Sequence, residues 1–387
     1  MSTATKPAKA IPVAKPYFGV EEEHALVSAL RSGWVSQGPK VAEFEKRFAQ
    51  YIGAQHAVAL SSCTTALHLA MITADIKAGD EVICPSLSFI ATANCIRYVG
   101  ATPIFVDIDP LTYNLDPRRV EEAIGPRTRA ILAVHQIGLP AAMKELQEIA
   151  SRRGLILLED AACAIGSEFM GAKIGQPHSL MACFSFHPRK ILSTGEGGMI
   201  TTNDEAVAAR LRRLRQHGMS VSDLARHSAT NVVLETYDEV GYNFRMTDLQ
   251  AAVGLEQLNR LDSMLERRRY LAKRYTQALY KLDWLLVPAE PAGYRHNFQS
   301  YMIRLLPGRA ASRDDIMQHM LNQGISTRRG IMATHKEIPY ADRDWSSVLP
   351  ETEKATAETL ILPLYHLMTE DEQDWVIQSL IESAGTR

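Results

Sequence analysis

The chain has 387 residues, with 42 basic and 44 acidic side chains mixed throughout and a formal charge of −2 at pH 7. This balance leaves no basic stripe for nucleic acid, and no apolar run is long enough for a signal peptide or a membrane span. Five cysteines without paired Cys-x-x-Cys spacing indicate reduced thiols and no zinc site. We therefore expect a cytoplasmic protein with no metal, no membrane and no nucleic acid among its partners.

The amino-terminal elements are predicted to be helices that follow a disordered start. Residues 1–15 are rich in Ala, Lys and Pro and are expected to be disordered. Helical periodicity runs over residues 20–32 and 40–51, and each segment ends before a glycine.

Short apolar runs then alternate with polar helical segments. Continuous apolar strands separated by helices indicate an α/β fold, in which helices cover both faces of a largely parallel sheet. Ligands gather at the carboxyl ends of the strands in such folds. The predicted strands cover residues 56–60, 81–84, 103–107, 130–134 and 155–160.

The carboxyl-terminal part is predicted to form a second, smaller unit. We place the large domain at residues 16–255, and a linking helix with a small α+β domain at residues 256–387. Prolines and a glycine between residues 288 and 293 break the helical pattern before the small domain begins. The elements predicted in this part are one or two helices over 247–282, a strand at 299–305, and helices at 313–322 and 369–383.

A lysine and an aspartate carry the strongest chemical signal. Lys190 is predicted to end a strand-like segment and to face a glycine-rich turn, and Asp160 closes an apolar run. Pyridoxal phosphate needs an amine for its Schiff base and an anion that keeps its ring nitrogen protonated. Desolvation and nearby positive charge would favour the neutral, nucleophilic form of Lys190. Each residue alone is better explained as a strand-end charge or turn former, so the interpretation depends on what surrounds the pair.

Small hydroxyl side chains at strand ends predict a phosphate site. Thr64 and Thr65 open a helix directly after the strand that ends at Leu60, and free backbone N–H groups at such a position attract phosphate. Ser185 offers a third hydroxyl near Lys190. Helix capping is the better explanation of Thr64 and Thr65 taken alone, and only the three hydroxyl sites together favour phosphate.

A flat cofactor ring also needs surfaces to lie against. Phe89 follows the strand at residues 81–84, and stacking on it would be favourable by roughly 0.5–1.5 kcal/mol beyond burial. Ala162, two residues after Asp160, is small enough to face the other side of the ring. Ordinary core packing remains an alternative for both residues.

These residues and several other motifs resemble the DegT/DnrJ/EryC1/StrS family of sugar aminotransferases over almost the whole chain. The resemblance implies pyridoxal phosphate as cofactor and the fold type I architecture, with a mostly parallel seven-stranded sheet. The matching landmarks are Gly33-Trp34 with Gly38-Pro39, Phe44-Glu45, Ser62-Cys63-Thr64-Thr65-Ala66-Leu67, Pro85 to Thr92, Val99 to Pro103, Glu159-Asp160-Ala161-Ala162, Ser185-Phe186-His187 with Lys190, Gly195-Glu196-Gly197-Gly198 and Gly241-Tyr242-Asn243-Phe244-Arg245.

The resemblance also implies roles for individual residues. Lys190 matches the Schiff-base lysine, and Asp160 the partner of the pyridine nitrogen. Asn243 matches an asparagine that reaches the phosphate of a neighbouring subunit, which implies a homodimer with shared active sites. From the sequence alone, Asn243 would have been assigned to a turn. The remaining cofactor positions carried over are Thr64, Thr65, Phe89, Ala162, Cys163 and Ser185.

Three positions depart from the family pattern. Cys63 stands where glycine is usual, and Cys163 stands where relatives often have a glutamine or histidine that contacts the ring hydroxyl. A thiol is a weaker hydrogen-bonding partner. Arg328 and Arg329 replace a His-Tyr pair of many sugar-converting members. Arg329 is our candidate for binding a substrate anion, because guanidinium forks bind planar anions, although a solvated loop charge is the alternative. His335 is a second candidate substrate residue.

The reaction implied is transfer of an amine from an amino acid donor, glutamate by analogy, to a keto sugar. The resemblance further implies that the acceptor is a deoxy sugar carried on a nucleotide. Two alternatives stay open at this point. One is a pyridoxal phosphate-dependent transaminase of a non-nucleotide amine or a cyclitol. The other is a non-catalytic regulatory protein that keeps the fold, although Lys190 and Asp160 would then have no chemical use.

Overall fold

The computed structural model describes residues 9–176, 178–221, 230–232, 234–341 and 344–385, together with Pro7 and Arg226. The strands of its amino-terminal part are β1 (His56–Leu60), β2 (Glu81–Pro85), β3 (Thr102–Val106), β4 (Thr128–Val134), β5 (Ile156–Asp160), β6 (Glu168–Phe169), β7 (Ala172–Lys173), β8 (Met181–Ser185) and β9 (Gly198–Thr202).

Seven of these strands form one sheet, in the order β1-β9-β8-β5-β4-β2-β3. The pairs from β3 to β8 are parallel, whereas β9 is antiparallel to both of its neighbours. The apolar strands are buried on both faces, as their continuous apolar sequences predicted. The predicted α/β fold with a mostly parallel seven-stranded sheet is therefore confirmed.

Two layers of helices cover this sheet. One buried core joins the sheet to α2, α6 and α8, and a second core joins it to α3, α4 and α7. Local sequence sets the helix ends, because Gly33 and Gly53 adopt left-handed conformations that close the first two helices. The helices are α1 (Val20–Ser32), α2 (Pro39–Ile52), α3 (Cys63–Thr73), α4 (Ala91–Tyr98), α5 (Pro117–Glu122), α6 (Met143–Arg153), α7 (Glu205–Leu214) and α8 (Asp248–Asn259).

The carboxyl-terminal part forms a smaller α+β unit with its own core. Its elements are α9 (Leu261–Leu279), β10 (Leu285–Leu286), β11 (Tyr294–Arg295), β12 (Tyr301–Leu305), α10 (Arg313–Asn322), β13 (Arg328–Arg329), α11 (Pro350–Glu358), β14 (Thr359–Leu362) and α12 (Glu370–Ser383). An antiparallel sheet has the order β10-β12-β14-β13, and α9, α10 and α12 pack against it. A third small sheet, β11-β6-β7, joins the two parts of the chain.

The boundary between the two units lies later than residue 255. Leu258 and Leu265 belong to the core of the large sheet, while Leu271 belongs to the core of the small domain. The division therefore falls within the long helix α9, which contributes side chains to both cores.

The amino-terminal segment is only partly as expected. Ile11 is 1% exposed, its N–H donates to the carbonyl of Gly324 at 2.8 Å, and its carbonyl accepts from the N–H of Ser326 at 2.9 Å. Disorder over residues 1–15 is therefore wrong for the part from residue 9 onward, because an apolar side chain among the Ala, Lys and Pro residues finds a place in the small-domain core. Residues 1–6 and 8 lie outside the described part of the chain.

Three further properties of the described residues bear on function. None of their helices is long and apolar enough to cross a membrane. No group of three or more His, Cys, Asp or Glu side chains among them is arranged to hold a metal ion. The five cysteines are free thiols, and burial raises the pKa of Cys63, Cys84, Cys95 and Cys183, which keeps these four neutral.

Candidate active site

A cavity of about 670 Å³ lies between the large sheet and the small domain. One wall consists of residues at the carboxyl ends of β1, β2, β4, β5 and β8, where an α/β sheet is expected to bind its ligand. The opposite wall comes from the small domain, through β13, β14 and the start of β12. Side chains from the large domain and the small domain thus line one cavity.

Lys190 projects into this cavity from the loop after β8. The strand ends at Ser185, so the lysine lies five residues further along and not at the strand end itself. Its Nζ donates a hydrogen bond to Sγ of Cys163 at 2.9 Å. The side chain of Gln299 fixes the loop on both sides, because its Oε1 accepts from the N–H of Ile191 at 3.1 Å and its Nε2 donates to the carbonyl of Arg189 at 2.6 Å.

The pKa of Lys190 is raised above its ordinary value. Burial is the largest single influence and lowers the pKa, but acidic neighbours outweigh it, first Cys163 and then Asp160. The expectation that nearby positive charge would lower this pKa is wrong, because the groups nearest the amine are acidic.

Asp160 is the last residue of β5, is 5% exposed and lines the cavity. Its Oδ2 accepts from the hydroxyl of Thr92 at 2.7 Å, and its Oδ1 accepts from the N–H of Ala162 at 3.1 Å. The hydroxyls of Thr92 and Ser88 lie 2.7 Å apart. Since Thr92 donates its proton to the carboxylate, Ser88 must donate to Thr92, and this chain of two hydroxyl donors ends on Oδ2 of Asp160.

Of the hydroxyl residues predicted to bind phosphate, all but Thr65 line the cavity near the start of α3. Ser62, Thr64 and Ser185 line the cavity at the amino-terminal end of this helix. Thr65 does not line it, because its Oγ1 donates to the carbonyl of Ser62 at 2.8 Å while Ser62 Oγ accepts from the N–H of Thr65 at 3.1 Å. Thr65 is thus a helix-capping residue, which is the alternative that its sequence context left open.

Phe89 and Ala162, the residues predicted to lie against a flat cofactor ring, also line the cavity. Phe89 is 63% exposed and faces the cavity, so its ring is not part of the core. Ala162 and Cys163 follow Asp160 on the same loop and also line the cavity. An exposed aromatic ring and small residues that line the same cavity are surfaces against which a flat group can lie.

Asn243 lies away from this cavity. It is exposed, its backbone pairs with Gln216, and its Oδ1 accepts from Nε of Arg245 at 3.2 Å. Within one chain it has no contact with the candidate site, so any role there requires a second chain.

The two candidate substrate residues are placed differently from one another. Arg329, with Arg328, lines the cavity from β13. His335 does not, because it is 6% exposed and held between two other groups. Its Nδ1 lies 2.7 Å from Oγ of Ser86, and its Nε2 lies 2.8 Å from Oε1 of Glu353. His335 therefore does not line the cavity with Arg329, and its hydrogen bonds join the small domain to the loop after β2.

Sequence reasoning missed a buried pair at the end of β4. His135 lines the cavity, and its Nδ1 accepts from the N–H of Ala141 at 3.0 Å. The proton therefore lies on Nε2, which donates to Oε2 of Glu159 at 2.8 Å with both side chains fully buried. The strand-end rule that selected Asp160 would also have selected His135, the residue after Val134.

The observed donors and acceptors fit pyridoxal phosphate. An amine (Lys190) and a hydrogen-bonded carboxylate (Asp160) line one cavity, and a helix amino terminus with hydroxyl groups lies beside them. These are the groups that a Schiff base, a pyridinium and a phosphate respectively require.

Comparison with known proteins decides the family. The model of the DegT/DnrJ/EryC1/StrS aminotransferase family matches residues 16–381. The chain belongs to this family. The resemblance drawn from the sequence motifs is therefore confirmed, and the protein is a pyridoxal phosphate-dependent aminotransferase.

Individual members of the DegT/DnrJ/EryC1/StrS family match along their whole length. The spore coat polysaccharide biosynthesis protein SpsC of Bacillus subtilis (strain 168) is 39% identical over 378 residues, which is 96% of each chain. The crystal structure of the aminotransferase TlmJ from Streptoalloteichus hindustanus is 34% identical, with a TM-score of 0.88 over 96% of this chain and 98% of that one. DesV of S. venezuelae, in complex with a ketimine intermediate, is 33% identical, with a TM-score of 0.89 over 98% and 100% of the two chains.

Proposed function

We propose that this aminotransferase moves an amino group from glutamate to a keto sugar, most simply a deoxy sugar linked to a nucleotide. The observation that carries the proposal is the convergence of Lys190 and Asp160 in one cavity beside the start of α3. The relationship to SpsC, a polysaccharide biosynthesis protein, supports a sugar as the acceptor.

The cofactor-binding residues proposed are those that the structure brings to the cavity. Pyridoxal phosphate, when bound, supplies an electron sink for the substrate carbon that carries nitrogen. Asp160 would face the ring nitrogen, Thr64 and Ser185 the phosphate, and Phe89 and Ala162 the two faces of the ring. Cys163 would contact the ring edge from its position beside Lys190.

Lys190 is proposed to move the proton during the reaction. Once the amine of the donor has freed Lys190, Nζ takes the proton from the donor carbon that carries the amine. In the second half-reaction Nζ returns a proton to the acceptor carbon. Gln299 keeps Nζ in place during both transfers, because it holds the backbone on either side of Lys190. One set of residues then serves both half-reactions, which predicts ping-pong kinetics.

The proposed assembly is a homodimer in which Asn243 reaches the phosphate of the partner's site. Two features support it. Asn243 is exposed and outside its own cavity, and α1 carries the exposed apolar side chains Leu26, Val27 and Leu30, which are 42%, 43% and 60% exposed. A cytoplasmic location is also part of the proposal, in keeping with five free thiols.

The proposal is tested by supplying the two half-reactions separately. Holoenzyme is treated with ¹⁵N-glutamate, freed of small molecules, and then given nucleotide-linked 3-keto and 4-keto deoxy sugars or keto cyclitols. The expected product is a ¹⁵N-labelled amino sugar still attached to its nucleotide, detected by mass spectrometry. Label in a cyclitol amine only would replace the sugar by another acceptor class, and label retained by the protein with every acceptor would contradict the second half-reaction.

A further inference from the structure

Three arginine side chains line the cavity from its two opposite walls. Arg189 comes from the loop that carries Lys190, while Arg328 and Arg329 come from β13 of the small domain. Among the described residues, none of the three guanidinium groups has an ion pair within 4 Å or a side-chain hydrogen bond. Three positive groups therefore face one space, and none of them is paired with either of the carboxylates, Asp160 and Glu196, that also line it.

This arrangement differs from that of other arginines in the same protein. Arg304 of the small domain pairs with Glu358 at 2.6 Å, and Arg215 of the large domain pairs with Glu45. Glu196 is an acid that lines the cavity, but it forms no ion pair with the three arginines. Other arginines, such as the buried Arg268, donate to backbone carbonyls. The three cavity arginines have neither kind of partner for their guanidinium groups, so they are available to a ligand.

The positive charges of the three arginines repel one another, and this repulsion affects the pKa of Arg328. The pKa of Arg328 is lowered, first by burial and then by the positive charges of Arg189 and Arg329. An anion placed among the three would remove this repulsion. Planar oxyanions suit such a site because a guanidinium fork donates two parallel hydrogen bonds to them.

The backbone that carries each arginine is fixed by hydrogen bonds. Gln299 donates to the carbonyl of Arg189 at 2.6 Å. Arg328 pairs with Ile361 and Arg329 pairs with Leu360 in the antiparallel β13-β14 ladder. The three side chains thus start from ordered positions on both sides of the cavity, unlike charges on a free surface loop.

We propose that Arg189, Arg328 and Arg329 form one oxyanion subsite that binds an acidic group of the substrates next to Lys190. The subsite deepens the proposed function, on which it rests for the identity of the substrates. Its ligand is the carboxylate of the amino donor or the diphosphate of a nucleotide-linked acceptor. Because the arginines belong to different domains, the bound oxyanion also bridges the large domain and the small one.

The test measures binding rather than turnover. Holoenzyme is titrated by calorimetry with glutarate, a dicarboxylate without an amine, and in a second arm with uridine diphosphate. The variants are Arg189→Gln, Arg328→Gln and Arg329→Gln, with Arg309→Gln as the matched control, since Arg309 is exposed and donates only to the carbonyl of Asp283. Retained cofactor absorbance and an unchanged melting temperature establish that each variant is folded.

We expect at least one of the two oxyanions to bind wild type, and each of the three cavity variants to weaken that binding by about tenfold to hundredfold, the usual effect of a lost charged hydrogen bond. Arg309→Gln should bind as wild type does, and Arg329→Lys should recover part of the loss. Loss in the glutarate arm assigns the subsite to the donor, and loss in the diphosphate arm assigns it to the acceptor. Equal binding by all variants in both arms, or no binding to wild type, would overturn the subsite. Neither result depends on whether a sugar accepts the amine, so the proposed function is judged separately.

Discussion

The two walls of the cavity are built in different ways. On the large-domain wall, Asp160 is buried and accepts two hydrogen bonds, and the Lys190 loop is clamped by Gln299. On the small-domain wall, Arg328 and Arg329 are exposed and have no partner among the described side chains. The Asp160 carboxylate and the Lys190 backbone, which protein hydrogen bonds already hold, can orient one cofactor. The guanidinium groups of Arg328 and Arg329, like that of Arg189 on the Lys190 loop, remain available to bind a ligand. The large-domain wall thus sets the chemistry, and the small-domain wall sets what is bound.

The largest expected effect comes from the charge of Asp160. Asp160→Asn keeps the shape of the side chain but removes the anion, so we expect the rate of the glutamate half-reaction to fall on the order of 10²- to 10³-fold, as when one preorganised electrostatic partner is lost. Stopped-flow absorbance of the cofactor measures this rate. Asp344→Asn, at an exposed position outside the cavity, is the control. A fall of less than a few-fold would mean that the large-domain wall does not set the chemistry.

The hydroxyl of Thr92 should matter next. Thr92→Val removes the donor to Oδ2 of Asp160 with little change of volume, and we expect affinity for pyridoxal phosphate to weaken by about tenfold to hundredfold. Thr92→Ser retains the hydroxyl and should bind nearly as wild type does. Equilibrium dialysis of cofactor against apoenzyme measures the difference. Equal affinity of the valine and serine variants would show that the donor chain from Ser88 has no function.

The stability of the protein should depend on pH through His296, which lies where the small domain joins the large sheet. Burial, with the charges of Arg269 and Arg268, lowers the pKa of His296 from 6.5 to about 3. A lowered folded-state pKa means that the unfolded chain binds the extra proton first, so stability is complete above pH 6.5 and is lost as the pH falls toward 3. Between pH 7 and pH 5 this residue should cost about 2 kcal/mol of stability.

The measurement is the melting temperature from pH 7.5 to 5 for wild type and His296→Asn. The variant should show a flatter decline than wild type over this range. His24→Asn, at an exposed position on α1, should leave the wild-type slope unchanged. Parallel curves for wild type and His296→Asn would contradict the assignment.

The smallest effect expected is on His335, whose role is to join the domains. His335→Ala removes the side-chain hydrogen bonds to Ser86 and to the Glu353 carboxylate, and we expect a total loss of about 2 kcal/mol of stability. Thermal melting measures this loss, and calorimetry should find unchanged glutarate affinity. Weakened glutarate binding at unchanged melting temperature would return His335 to the substrate site.

Features set by local sequence were predictable from the sequence. The apolar run that ends at Asp160 forms the buried strand Ile156–Asp160, and its carboxyl end reaches the ligand edge of the sheet as parallel topology requires. The helices Val20–Ser32 and Arg313–Asn322 have the predicted bounds, because periodicity and helix-end residues are local signals.

Features that depend on distant partners were not predictable. Thr65 and Thr64 are equivalent as sequence, and only the capping geometry of Ser62 separates them. Gln299 lies 108 residues from Ile191, so no local pattern could reveal that it fixes the lysine loop. The exclusion of His335 likewise depends on Ser86, which is 249 residues away.

We propose Lys190 as the reacting amine of this pyridoxal phosphate-dependent aminotransferase. The most direct test of this role is the visible absorption spectrum of cofactor-loaded wild type, Lys190→Ala and the control Lys281→Ala, before and after glutamate is added. Glutamate should remove the visible band of bound cofactor in wild type and in Lys281→Ala within one turnover. Lys190→Ala should show neither that band nor the change. A glutamate-dependent loss of the band in Lys190→Ala at the wild-type rate would contradict the role of Lys190 as the reacting amine.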